Sequence, residues 1–134
     1  AIGFVTLLTE ASSLATNDIE SHFYKRFLEE ATMIAFNIAE GSSKNKPSFI
    51  TQLKAAKTNI RKCVVFTTIG RQNDFLGPEK EDEIRKQLME LTKMIGALII
   101  SLQKNLNGNY HHEINDVHDN HNDIIDDFEE TIIW

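Results

Sequence analysis

Asn37-Ile38-Ala39-Glu40-Gly41, followed by the polar link Ser42-Ser43-Lys44-Asn45-Lys46 and then Pro47, is the stretch on which the fold of this chain turns. One apolar-periodic segment runs into it and another runs out of it. Gly41 reads as the stop of the first helix, because the residue just past a helix often takes a positive φ and glycine does so without a Cβ penalty. Pro47 reads as the restart, because its missing N–H costs nothing in a first helical turn. Two helices joined by so short a link pack as antiparallel neighbours.

Working outward, the helix entering the stretch spans about Ile19 to Ala39, with Ile19, Phe23, Phe27, Ala31, Ile34, Ala35 and Ile38 on its apolar face. These recur at threes and fours, the period of a helix buried on one side. Thr16-Asn17-Asp18 before it supplies good N-cap residues. Residues 2–15 form an earlier helix through Phe4, Leu7, Leu8, Ala11, Leu14 and Ala15. The helix leaving the stretch runs from Pro47 to about Gln72, with Phe49, Leu53, Ala56, Ile60, Cys63, Val64 and Thr67 toward the core. Gly70 falls in its last turns. Asn73 to Gly77 is a loop, and Pro78 opens a fourth helix whose acidic first turn complements the helix dipole. In that helix Ile84, Leu88, Leu91, Ile95, Leu98 and Leu102 step by four and three, a regular seam. Met94, Ile99 and Ile100 widen the apolar surface, which predicts the bundle on one side and another subunit on the other. Asn107-Gly108-Asn109 ends it. No stretch alternates with a period of two, so no sheet is expected. The prediction is an all-α, up-down-up-down antiparallel four-helix bundle over residues 1–108.

Residues 109–134 are set apart as an acidic tail or fifth helix. Ile114, Val117, His121, Ile124, Phe128 and Thr131 step by three and four, which fits an amphipathic helix. The Asn, Asp and Glu content fits a disordered tail instead. Thr131-Ile132-Ile133-Trp134 reads as an apolar anchor for its own or a neighbouring subunit.

Composition bounds the rest. A chain of 134 residues, 41% hydrophobic and 25% charged, is one globular domain that folds without metal or disulfide. The single Cys63, on the core face of its helix, is a small buried hydrophobe and not a reactive thiol. With no partner for a disulfide, no signal-peptide pattern and no apolar run of about 18 residues, a cytoplasmic protein is expected. The chain begins at Ala1 inside an apolar-rich run, which predicts residues upstream. The net charge of −6 is unevenly spread. Residues 25–72 carry nine Lys and Arg against three acidic residues, whereas residues 105–134 carry eight acidic residues and no Lys or Arg.

That asymmetry frames the candidate site. Lys54, Lys57 and Arg61 share one stripe, placed away from the core face, and Lys62 flanks it. With Lys44 and Lys46 they form a candidate nucleic-acid surface, each phosphate contact weak and salt-sensitive. An ordinary solvated helix face explains the same residues, and no interleaved aromatics suggest base stacking. The acidic tail could cover that face or bind a basic protein. No phosphate-binding glycine loop, nucleophile elbow or paired-cysteine metal site occurs, so no catalytic residues and no cofactor are assigned. Asn37 and Glu40 read as partners in helix-end or inter-helix hydrogen bonds. His22 reads as a surface or boundary residue. His111, His112, His118 and His121 lack the fixed third and fourth ligands of a zinc site, and no metal is assigned.

Residues from about Glu20 to Lys104 resemble the bacterial four-helix bundle family encoded in intervening sequences of 23S ribosomal RNA genes. They resemble more distantly the accessory proteins of diversity-generating retroelements. The resemblance rests on Asn37-Ile38-Ala39-Glu40-Gly41, on Phe49-Ile50 with Leu53 and Ala56, and on Lys93-Met94-Ile95-Gly96-Ala97-Leu98-Ile99. The family often has proline where Ala35 stands, and an arginine-rich link where Ser43, Lys44 and Asn45 stand. A glycine–serine pair becomes Thr58-Asn59, and acidic residues become Arg61, Lys62 and Val64. The resemblance implies a ring-like homo-oligomer, commonly a pentamer, with no enzymatic activity. It also implies association with RNA, DNA or a ribonucleoprotein. The alternative is a protein-only adaptor that binds a partner such as a reverse transcriptase.

Overall fold

The computed structural model describes residues 1–107. They form an all-α four-helix bundle: α1 (Ile2–Ser12), α2 (Asp18–Ser42), α3 (Lys46–Gln72) and α4 (Pro78–Asn107). Among the described residues there is no strand, and no helix is long and apolar enough to cross a membrane. Each helix packs on its neighbours in chain order, and α1 closes the ring against α4, its slightest interface. The tail and its two readings lie outside the described residues.

Local chemistry accounts for the helix ends. Asn17 caps α2, its side chain accepting from the Glu20 N–H at 2.8 Å. The Glu20 carboxylate reaches back to accept from the Thr16 N–H at 3.2 Å, which ties the residue ahead of the cap to the first turn. Asn45 caps α3, accepting from the Ser48 N–H at 3.0 Å, and Pro47 follows within the first turn. At the far end of α3 the N–H groups of Phe75 and Leu76 both return to the Gly70 carbonyl, at 2.8 and 3.2 Å. Asp74 takes the left-handed conformation there, with φ of 58°, and is the one described non-glycine residue that does so.

Gly41 departs from expectation. It is helical, inside the last turn of α2, and no described glycine has positive φ. Its contribution is clearance: a Cβ at this position would stand 2.7 Å from Phe49 Cδ2 and 2.8 Å from Gln52 Cβ. The missing side chain lets the end of α2 approach the start of α3. Gly70 does the same beside Phe23 and Leu76, which a Cβ would meet at 2.8 and 2.9 Å.

The core follows the apolar stripes read from sequence, with corrections at their ends. Leu8, Phe27, Ala31, Ile34, Leu53, Ala56, Cys63 and Ile84 are wholly buried. Leu14 and Ile19 are exposed instead, because α1 stops at Ser12 and Ile19 precedes the first full turn packed on a neighbour. In α4 the regular seam holds to Ile95 and then shifts, Ile99 being buried and Leu98 partly exposed. A strict seven-residue repeat drifts by about 20° per heptad around a straight helix, so the buried stripe rotates off Leu98. The half of the core nearest the α3–α4 loop is aromatic. Phe27 stacks on Phe66 at 5.5 Å and meets Phe4 and Phe23 edge-on at 6.3 and 5.8 Å.

Two buried groups have shifted acidities. Burial pushes the Cys63 thiol well up, with Glu30 adding to the effect, so the thiol stays protonated and inert. Burial first, and Glu20 second, push the Tyr24 phenol up to about 12; its O–H donates to the Phe75 carbonyl at 2.7 Å. The fold therefore holds this proton more tightly than the unfolded chain does. The stability so contributed is complete below the unfolded value near 10 and declines as pH rises toward 12. The urea midpoint of the wild type should accordingly fall across pH 10–12 more steeply than that of Tyr24→Phe. Parallel slopes would place the alkaline loss elsewhere.

Candidate nucleic-acid interface

The six basic residues singled out by sequence do not form one outward stripe. Arg85 donates to Thr68 Oγ1 at 3.0 Å, which marks the side of α3 that faces α4. Arg61 and Lys57 lie two and three turns before Thr68 on the same line of the helix. Both thus lie on the side of α3 that faces α4, and neither is without an interaction partner. Lys57 is only 6% exposed, and Arg61 is half-buried. The expectation that this stripe points away from the core is corrected for Lys57. Its apolar stem fills the seam, as long basic side chains commonly do.

Lys62 faces α2, with its ammonium 3.7 Å from the Glu30 carboxylate. Lys44 stands 3.4 Å from Glu40, one turn back at the end of α2. Both pairs are solvent-accessible and worth about 0–1 kcal/mol, so either lysine can exchange its partner for a phosphate at small cost. Lys46 and Lys54 are exposed. Lys44, Lys46 and Lys54 therefore cluster at the end of the bundle where α2 turns into α3. The first turn of α3 carries no acidic residue, unlike those of α2 and α4. Its open N–H groups add to the positive potential of this end.

Within Asn37–Gly41, three residues tie α2 to the rest of the bundle: Asn37, Ile38 and Gly41. The Asn37 amide donates to Asn59 Oδ1 at 2.8 Å, and the Asn59 amide donates to Glu30 at 2.9 Å. Glu30 and Asn37 are seven residues apart on α2, so Asn59 bridges two turns of that helix from α3. Ile38 packs against the core, and Ala39 and Glu40 are exposed. Gly41 provides the close approach already described. Asn59 was not read as a partner from sequence. The spacing from Glu30 to Asn37 puts two polar groups on one line, but which α3 residue meets them depends on the register between helices.

Also missed were Arg26, whose guanidinium lies 5.8 Å from the Phe66 ring centroid, and the exposed apolar residues Met33 and Phe36 on α2. Phe36 is 60% exposed and lines a groove of about 670 Å³ that runs along α2 past Ser12, Tyr24 and Leu28. His22 is exposed. Among the described residues no three His, Cys, Asp or Glu side chains converge as metal ligands. The tail histidines lie outside the described residues.

The fold defines the class: an all-α four-helix bundle. No family model, no curated protein and no solved structure matches the chain.

Proposed function

We propose that this protein is a non-enzymatic four-helix bundle scaffold that binds nucleic acid, or a ribonucleoprotein, through the end of the bundle carrying Lys44, Lys46 and Lys54. The observation that carries the reading is the exposure of these lysines around the acid-free first turn of α3, in a chain whose acidic residues concentrate elsewhere. Lys62 extends the surface along α3. Lys57, buried on the side of α3 that faces α4, supports the helix that presents it, and half-buried Arg61 lies at the margin of the surface. The resemblance to the 23S intervening-sequence proteins points the same way. It adds a ring-like homo-oligomer, a pentamer above all, in which a weak phosphate-binding surface is repeated and its contacts multiply.

The test is a titration of the purified chain against structured RNA and duplex DNA at two salt concentrations. Binding should weaken steeply with salt. The double variant Lys46→Glu, Lys54→Glu should reduce the logarithmic salt slope by about 2, because each phosphate contact contributes roughly one unit. Removing residues 109–134 should raise affinity if the acidic tail competes for the basic end. Absence of binding at low salt, with and without the tail, sinks the reading. A strict monomer in native mass measurements removes the ring.

A second reading, a protein-only adaptor, is favoured by exposed Phe36 and Met33. A large aromatic left open to water beside a groove suits a protein surface better than a phosphate backbone. Failure of the titration with Phe36→Ser impaired in partner capture would select it.

A further inference from the structure

α2 carries a side that no other described helix covers. Lys25, Glu29, Met33, Phe36 and Glu40 follow one another there at steps of four, four, three and four, and all five are exposed. Such steps keep residues on one side of a helix, and the solvent side of a bundle helix is ordinarily polar throughout. Here its middle is apolar: Phe36 is 60% exposed and Met33 42%. The groove of about 670 Å³ beside them is lined by Tyr24, Lys25, Leu28, Glu29 and Thr32, so most of it lies on the N-terminal side of Met33. The Phe36 ring stands at the opposite end. A projection and a recess thus share one surface, with Thr32 and Met33 between them.

We propose that this side of α2 docks a second copy of the chain, the two α2 helices running antiparallel about a two-fold axis between Thr32 and Met33. Such an axis carries Phe36 onto Glu29, in the middle of the recess, so each copy's ring enters the other's groove beside Leu28. A patch that meets itself must carry both the projection and the recess that receives it. The charges have the same symmetry. Lys25 and Glu40 stand at the two ends of the row, about 22 Å apart along the helix. The axis sets Lys25 against the partner subunit's Glu40, and Glu40 against the partner subunit's Lys25. A parallel copy would set like charge against like. Glu40 gives up its exposed pair with Lys44 at small cost, and Glu29 stays one turn from Lys25 on its own helix. One helix side per subunit is a small contact beside the standard interface of about 800 Å² per partner, so the association is weak. It closes at two copies, involves no residue of α3, and rests on neither the ring nor the nucleic-acid reading.

The test follows association of the full chain by sedimentation up to about 1 mM protein, the scale of a weak contact. The wild type should associate. Lys25→Glu alone and Glu40→Lys alone each set like charges together at both ends of the contact, and each should raise the dissociation constant about tenfold or more. An equimolar mixture of these two variants sets opposite charges together at both ends and should regain the association of the wild type. All three side chains probed are exposed, so unchanged circular dichroism and Tm are expected throughout. Phe36→Ser should lose pairing with itself. A wild type that stays monomeric overturns the proposal. An assembly of unchanged size in both charge variants places the contact on another face and also overturns it. So does a mixture no more associated than its two components, or undiminished pairing of Phe36→Ser.

Discussion

Phe27→Ala should cost about 3–5 kcal/mol of folding stability and lower Tm by roughly 10–20 °C. Phe27 is wholly buried near the middle of α2 and meets three other rings: Phe66 stacked, Phe4 and Phe23 edge-on. Truncation removes the transfer free energy of a large apolar side chain and leaves a void lined by rings attached to α1, α2 and α3. Those rings cannot close on the void together without moving three helices, so the cavity term persists. Natural domains have about 5–15 kcal/mol in all, which makes this a large fraction. Urea and thermal unfolding measure it directly. Phe27→Leu, which keeps most of the volume, should recover much of the loss. A cost under 1 kcal/mol for the alanine variant would mean that the aromatic half of the core is loosely packed.

The second large effect is at Gly41. Alanine is a better helix former than glycine by about 1 kcal/mol, and Gly41 is helical, so local propensity alone predicts stabilisation. The added Cβ would stand 2.7 Å from Phe49 Cδ2 and 2.8 Å from Gln52 Cβ. The Phe49 ring can swing aside, but Gln52 Cβ is fixed to the backbone of α3. Relief requires the two helices to part, and a net loss of about 1–3 kcal/mol is expected for Gly41→Ala. Gly3 is the matched control. It is helical and exposed, and a Cβ there meets nothing within 4 Å. Gly3→Ala should therefore stabilise, by up to about 1 kcal/mol. Opposite signs for the same chemical change would establish that Gly41 is selected by the α2–α3 contact and not by helix ending. A gain at both positions would refute that account.

The two results together bear on how the basic end is presented. Gly41 brings α2 down onto the start of α3, and the bonds from Asn37 to Asn59 and from Asn59 to Glu30 pin the helices in one register. Lys44 sits on the short link between the two helices, and Lys46 opens α3. Their positions relative to Lys54 are set by the pair of helices and not by a long loop, which lets three lysines act as one surface.

Whatever depends on neighbours along the chain can be read from the residues alone. Four helices, their order, the cap at Asn17, the turn at Pro47, the buried stripe through Leu53, Ala56, Ile60 and Cys63, and the first three steps of the α4 seam, to Ile95, all follow from local spacing and end chemistry. The tertiary structure alone decided what depends on the register between helices. It turned Gly41 from a stop into a point of close approach and buried Lys57 in the α3–α4 seam. It chose Asn59 as the partner of Asn37, and it turned the buried stripe of α4 from Leu98 to Ile99. A helical repeat states which residues share a side. It does not state which neighbour that side will meet, because axial offset and rotation are fixed only when two side-chain surfaces interlock.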